Sequence, residues 1–392
     1  MINHTHYLSQ LKEEVVSIRR KLHQYPELSF QEYQTAETIR NILTSWGIKF
    51  ENIGETGVFV DIVGDPSGRT IGLRADIDAL PIQEEADVTY RSCIDGVMHA
   101  CGHDGHTAML LGATKLLSEN KNKLQGTVRC IFQPGEELDG AAKDLIDKGV
   151  LENPSVECVI GMHLWPYLPL GTVGVKSGSM TASCDDFKIV VKGKGGHCAR
   201  PHLGIDAINI ATKLVQDIQA IPLKHTSPTQ PTLVHIGKIQ GGEANNVIAD
   251  TVEIEGTARS FSEVTRNLIR KKIEDSCKAA ESLWGATIEL DYIIGAPAIN
   301  NSSEITAVFK AIATDMLGDS SVYELEEPSM GADDFGYFSE KIPSLYFRLG
   351  IKKDDEEIFD LHHPQFYFDD SVLIRGVELY TNIAEELLKR RE

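Results

Sequence analysis

The sequence predicts an α/β fold into which an α+β unit of βαββαβ order is inserted, and three observations predict it. Residues 1–178 alternate helical and strand-like apolar patterns. Over residues 186–293 the order changes to strand, helix, strand, strand, helix, strand, the arrangement of a ferredoxin-like unit. After Pro297 the alternation resumes and closes on a long amphipathic segment, 371–389. A chain of 392 residues exceeds what one hydrophobic core usually serves. Two domains are therefore expected, one formed by 1–182 and 297–392 and the other by 183–296.

Each element has its own signal. Leu8, Leu11, Val15, Ile18 and Leu22 recur at helical spacing before Pro26, and Ala36, Ile39, Leu43 and Trp46 make a second stripe that Gly47 ends. Strands are predicted over 58–63 and 70–75, the second running into Asp76 and Asp78. A helical pattern spans 107–120, and a strand over 127–132 delivers Glu136 and Glu137. Another helix reaches Gly149, followed by a buried strand, 156–162, ending in His163. The inserted unit is expected at 186–191, 204–220, 233–237, 252–258, 263–283 and 287–293. A helix near 304–316, a strand at 344–348 and the closing helix complete the chain.

Composition narrows the function. A net charge of −20 repels phosphate backbones and anionic lipid, so neither nucleic acid nor membrane is an expected partner. The first ten residues lack a basic start and an apolar core, and no run of 18 apolar residues occurs. The 7 cysteines form no C-x-x-C pair and no disulfide framework, which fits a reducing compartment. A cytoplasmic protein is expected. The acidic run 354–357 is read as a solvated loop.

The chemistry concentrates in residues 99–106, HACGHDGH, which bring three imidazoles, a thiol and a carboxylate together just before a helical pattern. Cys101 and His103 point the same way on a turning backbone, and Gly102 and Gly105 permit the turn. The helix start should favour a Cys101 thiolate. Asp76, Asp78, Glu136, Glu137 and His163 all lie at or beyond predicted strand ends, the edge of an α/β sheet where ligands bind. If His362 joins His163, the βαββαβ unit must be an insertion. Gly193-Lys-Gly-Gly-His197 lacks the G-K-[ST] ending of a phosphate loop.

The ordered motifs MHACGHDGHT, RADIDALP, QPGEE, GMHLWP, GKGGHCARPH, NNVIADTVEIEGTAR and LHHPQF resemble the two-metal amidohydrolases that include aminoacylase and carboxypeptidase G. The sequence is most similar to the subgroup of N-acyl-amino-acid and indole-acetyl-amino-acid hydrolases and N-acetyldiaminopimelate deacetylase. The resemblance implies a zinc-exopeptidase-like catalytic domain with an inserted lid/dimerisation domain, and a homodimer or higher homo-oligomer. It implies Cys101, His103, Glu137, His163 and His362 as ligands of two divalent ions, zinc or manganese, a donor set such ions suit. Glu136 is expected to transfer the proton, because neighbouring side chains on an extended backbone diverge and leave it free when Glu137 faces the metal. Capping of a helix after Leu138 is the competing reading of that acidic pair.

Asp78 matches a carboxylate that orients a ligand, and Asp76, Asp104, His99, His106 and His363 are assigned supporting places. His197 matches a histidine that reaches a neighbouring subunit's site to stabilise an oxyanion, and Asn246 and Arg259 match substrate-binding positions. The implied reaction is hydrolysis of the acyl amide of an N-acyl amino acid or small conjugate by a metal-bound water. A dipeptide exopeptidase and a metal-binding protein without activity are the alternatives. Gly135 and Ala249 replace the subgroup's usual alanine and proline, which bears on loop geometry.

Overall fold

The computed structural model describes residues 4–354, 357 and 359–390. The Leu8 side chain and positions 355 and 356 of the acidic run lie outside the described residues. The chain divides into two compact units, one of Met1–Met180, Asn300–Pro328 and Asp333–Glu392, the other of Thr181–Ile299 and Ser329–Ala332.

The first unit opens with α1 (His4–Gln24), α2 (Tyr33–Ser45), β1 (Glu51–Ile53), β2 (Gly57–Val63), β3 (Arg69–Asp76), α3 (His103–Glu119), β4 (Gly126–Gln133), α4 (Ala141–Asp147), β5 (Val156–Pro169), β6 (Val173–Val175) and β7 (Gly178–Ser179). The second contains β8 (Ser183–Lys192), β9 (Gly196–His197), α5 (Ala207–Gln219), α6 (Ile221–His225), β10 (Leu233–Gly241), β11 (Val247–Ile248), β12 (Thr251–Ser260), α7 (Glu263–Trp284) and β13 (Thr287–Ile294). The chain then returns to the first with β14 (Asn300–Asn301), α8 (Ser303–Leu317), β15 (Val322–Glu324), α9 (Gly336–Lys341), β16 (Ser344–Lys352) and α10 (Leu373–Lys389).

The first unit is built on an 8-stranded sheet of order β1-β2-β4-β3-β5-β16-β6-β15. Its centre, β4-β3-β5-β16, is parallel. β3, β4 and β16 are buried along almost their whole length, which is why they read as continuous apolar runs rather than alternating ones. Parallel pairing brings the carboxyl ends of β3 and β4 to one edge, with Asp76 opposite Gln133. Helix α3 is buried over most of its residues and touches α10 through glycines. A Cβ on Gly376 would lie 2.0 Å from Met109 Sδ, and one on Gly112 2.6 Å from Val377 Cγ2.

Two boundaries and the role of one glycine differ from the sequence reading. Helix α3 starts at His103, because Gly102 (φ 90°) turns the chain into it, so His103 is a helical residue rather than part of a preceding loop. Gly105 lies inside the first turn and serves packing: a Cβ there would sit 2.7 Å from Phe368 Cζ. β5 continues past Met162 to Pro169, held by pairing with β16, so His163 lies within a strand.

In the second unit, the 4-stranded sheet has the order β10-β12-β8-β13 with every neighbour antiparallel. Phe187, Ile189 and Val191 of β8 pack with Ile210 and Leu214 of α5 and Ile269 and Ile273 of α7. Asp206 caps α5 by accepting from Ile208 N and Asn209 N, and Ser262 caps α7 by accepting from Thr265 N. No helix among the described residues is long and apolar enough to cross a membrane.

Candidate metal centre

Helix α3, strand β5 and the turn after β4 each contribute donors to one cluster. Cys101 Sγ lies 3.4 Å from His163 Nε2, and His163 Nδ1 donates to Leu164 O at 2.6 Å. His103 Nδ1 lies 3.1 Å from both the carbonyl and Oδ1 of Asp78. That contact makes Nδ1 a donor to Asp78 and turns Nε2 towards the cluster, where it is buried without a hydrogen-bond partner. Donor atoms of Cys101, His103 and His163 lie within 4.8 Å of one another, as do those of Cys101, Glu137 and His362 and those of His103, Glu136 and Glu137. All five expected ligands are thus brought together in the first unit.

His362 enters by an uncommon backbone conformation for a side chain of its size, φ 65°. Its N–H donates to Ala100 O at 2.8 Å, and its Nε2 stands 3.3 Å from Glu137 Oε1. The imidazole is 51% exposed, so it forms the outer wall of the cluster.

The acidic pair is arranged differently from the sequence expectation. Glu136 and Glu137 belong to a 3-10 turn, Glu136–Leu138, not to an extended segment. Their carboxylates do not diverge: Glu136 Oε2 and Glu137 Oε1 each lie 3.8 Å from His103 Nε2. Gly135 (φ 64°) opens the turn, and a Cβ there would sit 2.7 Å from Phe30 Cζ, so this chain requires glycine where alanine is usual. The pair caps no helix, since α4 begins at Ala141 behind Gly140.

Supporting groups lie beneath. Asp78 holds His103 with Oδ1 while Oδ2 accepts from Ser29 Oγ at 2.7 Å and Glu137 N at 3.0 Å. Asp76 accepts from His106 Nδ1 at 2.6 Å and from Arg74 Nη1 at 2.7 Å, and His106 Nε2 accepts from Leu164 N at 3.0 Å. Asp104 accepts from Arg19 Nε at 2.6 Å and His23 Nδ1 at 2.8 Å. His99 is buried with neither ring nitrogen partnered, and His363 Nδ1 accepts from Gln365 N at 3.1 Å.

The sequence reading missed Arg74, Asp333, Asp334 and Tyr346. Arg74 donates to Gln133 Oε1 (2.8 Å) and Asp334 Oδ1 (3.0 Å), and Tyr346 Oη donates to Asp333 Oδ2 in a very short bond. Carboxylate oxygens of Glu136, Asp333 and Asp334 lie within 4.8 Å of one another. An arginine inside the apolar run 70–75 was the available signal, because buried arginine demands carboxylates and the doublet Asp333-Asp334 beside Phe335 supplies them.

The electrostatics follow from this crowding. Burial, then Asp333 and Glu137, push the Glu136 carboxyl well above the ordinary carboxylate range. Burial, then Glu137 and Glu136, push the Cys101 thiol up, so the helix start by itself does not hold a thiolate there. Burial opposes protonation of His103, but Asp76 and Asp78 outweigh it and lift the imidazole to about 10. Negative charge accumulates around His103 Nε2, which is buried without a hydrogen-bond partner. This donor set fits divalent cations of the borderline class.

The other three expected site residues belong to the second unit. His197 is exposed on β9, paired with Val247 of β11, and Asn246 O accepts from Cys198 N at 3.2 Å. Arg259, on β12, donates from Nη1 to Met330 O at 3.3 Å.

Thiol, imidazole and carboxylate groups gathered at the carboxyl edge of a parallel sheet define a metal site of the kind that metal-dependent hydrolases use. The chain belongs to peptidase family M20/M25/M40, whose model matches residues 72–386. It is 39% identical over 387 residues to the N-acetyl-L-cysteine deacetylase of Bacillus subtilis, covering 98% of this chain and 91% of that protein. It is 37% identical over 381 residues to thermostable carboxypeptidase 1 of Saccharolobus solfataricus, covering 96% and 95%. The crystal structure of a dinuclear metal binding peptidase of the M20 family from Bacillus subtilis superposes with a TM-score of 0.84 at 34% identity, covering 97% and 99%.

Proposed function

We propose that this enzyme hydrolyses the acyl amide bond of N-acyl amino acids or related small conjugates, with two divalent cations, zinc or manganese, held by Cys101, His103, Glu137, His163 and His362. The observation that carries the reading is the convergence of those donors with His103 Nε2 left buried and without a hydrogen-bond partner. Bound there, such cations supply Lewis-acid polarisation and acidify water. Asp78 fixes the His103 tautomer so that Nε2 faces the cluster. Glu136 takes a proton from the attacking water and returns it to the departing nitrogen. One amide and one water give one carboxylic acid and one amine. Burial, Asp333 and Glu137 raise the Glu136 carboxyl above the ordinary carboxylate range, which strengthens it as a proton acceptor for this exchange.

His197, Asn246 and Arg259 complete the reading as substrate-binding residues, with His197 serving the site of a second subunit. A mixed dimer of His197→Ala and Glu136→Ala chains should then regain activity that neither homodimer has, and failure with mixed dimers present overturns the shared site. A cytoplasmic homodimer or higher homo-oligomer is part of the proposal, and cell fractionation with light scattering checks both. The carboxypeptidase relative favours a second reading, a small-peptide exopeptidase. Metal-loaded enzyme assayed against N-acetyl amino acids, aryl-acyl conjugates and dipeptides separates the two: faster hydrolysis of dipeptides sinks the first.

A further inference from the structure

Arg348 lies on β16 opposite His163 of β5 in parallel register, so both side chains leave the same face of the sheet. Trp165, two residues past His163, shares that face, and the Arg348 guanidinium stacks on it with Cζ 3.6 Å from the ring centroid. The arginine is only 6% exposed, yet among the described residues it has no carboxylate partner, and its Nη2 is buried without any acceptor. Burial pulls its pKa down to about 10, the signature of a cation without a counter-ion, though it remains charged at neutral pH. A structural arginine in this sheet looks different: Arg74 is equally enclosed and meets Asp76 and Asp334. Buried charges are ordinarily paired, so the missing anion is the observation that asks for a ligand.

The indole covers one face of the guanidinium, and the planar fork with its unanswered Nη2 suits two-point recognition of a carboxylate. We propose that Arg348 on Trp165 receives a carboxylate that the substrate carries in addition to its α-carboxylate, placed either on the acyl group or on the amino-acid side chain. The inference rests on the amidohydrolase reading above and narrows its substrates to amides of acidic amino acids or dicarboxylic acyl groups.

Two matched pairs of substrates test it on the metal-loaded enzyme: N-acetylglutamate against N-acetylglutamine, and N-succinylalanine against its terminal amide. One pair should show kcat/KM at least about tenfold higher for the charged member, the scale of a charge-assisted hydrogen bond pair, and that pair names the carrier of the carboxylate. Arg348→Gln should collapse the ratio towards one, and Arg348→Lys, which keeps the charge but not the fork, should leave it intermediate. Ratios near one in the wild type, or an unchanged ratio in Arg348→Gln, overturn the proposal. If none of the four amides is cleaved, the amidohydrolase reading is judged on the wider substrate panel above, and glutarate binding followed by calorimetry decides the subsite without turnover. Binding by the wild type that is lost in Arg348→Gln supports it, and equal or absent binding in both overturns it. Should Arg348→Gln fail to fold, Arg348→Lys carries the same comparisons.

Discussion

Two arginines in one sheet, Arg74 on β3 and Arg348 on β16, are both enclosed and otherwise opposite. Arg74 donates to Gln133, Asp76 and Asp334, and its charge is answered within the protein. Arg348 has an aromatic ring beneath it and, among the described residues, no anion. The same contrast separates His106, whose two nitrogens are both engaged, from His103, whose Nε2 is not. In these two pairs the enclosed group with complete partners builds the floor of the site, and the one with a partner missing is where we place a bound ligand.

The contrast can be broken by experiment. Arg74→Gln leaves Asp76, Asp333 and Asp334 buried without their cation and should cost about 3–5 kcal/mol; a urea midpoint equal to wild type would show that Arg74 is not the neutralising centre. Glu136→Gln should keep its metal by elemental analysis yet lose about 100-fold in kcat, whereas retained turnover returns Glu136 to a structural place. Asp78→Asn removes the acceptor that orients His103 and should weaken metal affinity by about 10- to 100-fold, read by titration against a chelator. Arg375 and Glu378, 3.2 Å apart on the surface of α10, supply the opposite limit. Arg375→Ala should shift stability by no more than about 0.5 kcal/mol.

Acid should act on the floor before the rest. Burial opposes ionisation of Asp76, but His103, His106 and Arg74 hold its carboxyl well below the usual range. Asp104 is likewise lowered, by Arg19 and His23 against its burial. A depressed carboxylate stabilises the fold above its unfolded pKa of about 4, and that stability is lost as pH falls towards the folded value. His23, raised by Asp104 and Glu84 against burial, has the reverse sign: its contribution is full below about 6.5 and fades as pH rises through its folded pKa. Melting temperature measured from pH 3 to 9 should therefore fall steeply at the acid end in the wild type, and less steeply in Asp104→Asn.

Much of this was legible from residue order. The strands at 58–63, 70–75 and 127–132 and the βαββαβ order were set by apolar periodicity and turn residues, which are local properties. The helix start at His103 was not, because His103, Asp104 and His106 are polar yet buried, held by Asp78, Arg19 and Asp76 from distant elements. The same limit explains Glu136 and Glu137: whether two neighbouring carboxylates diverge or converge depends on the φ of Gly135 and the position of Phe30. Asp333 and Asp334 were visible as a doublet, but their pairing with Arg74, some 260 positions away, is a tertiary fact.

The division of the chain also sets a timetable. Residues 181–299 are contiguous and close a core of their own, whereas the first unit needs α1 and α3 to meet α10, and Cys101 to meet His362. A nascent chain leaving the ribosome can therefore complete its middle before its beginning, with the segment made first waiting on the segment made last. Metal capture then belongs to the period after synthesis rather than during it. Proteolysis of ribosome-stalled chains of increasing length should find 181–299 protected before 1–180, and protection in the reverse order would show that the early segment stands without α10.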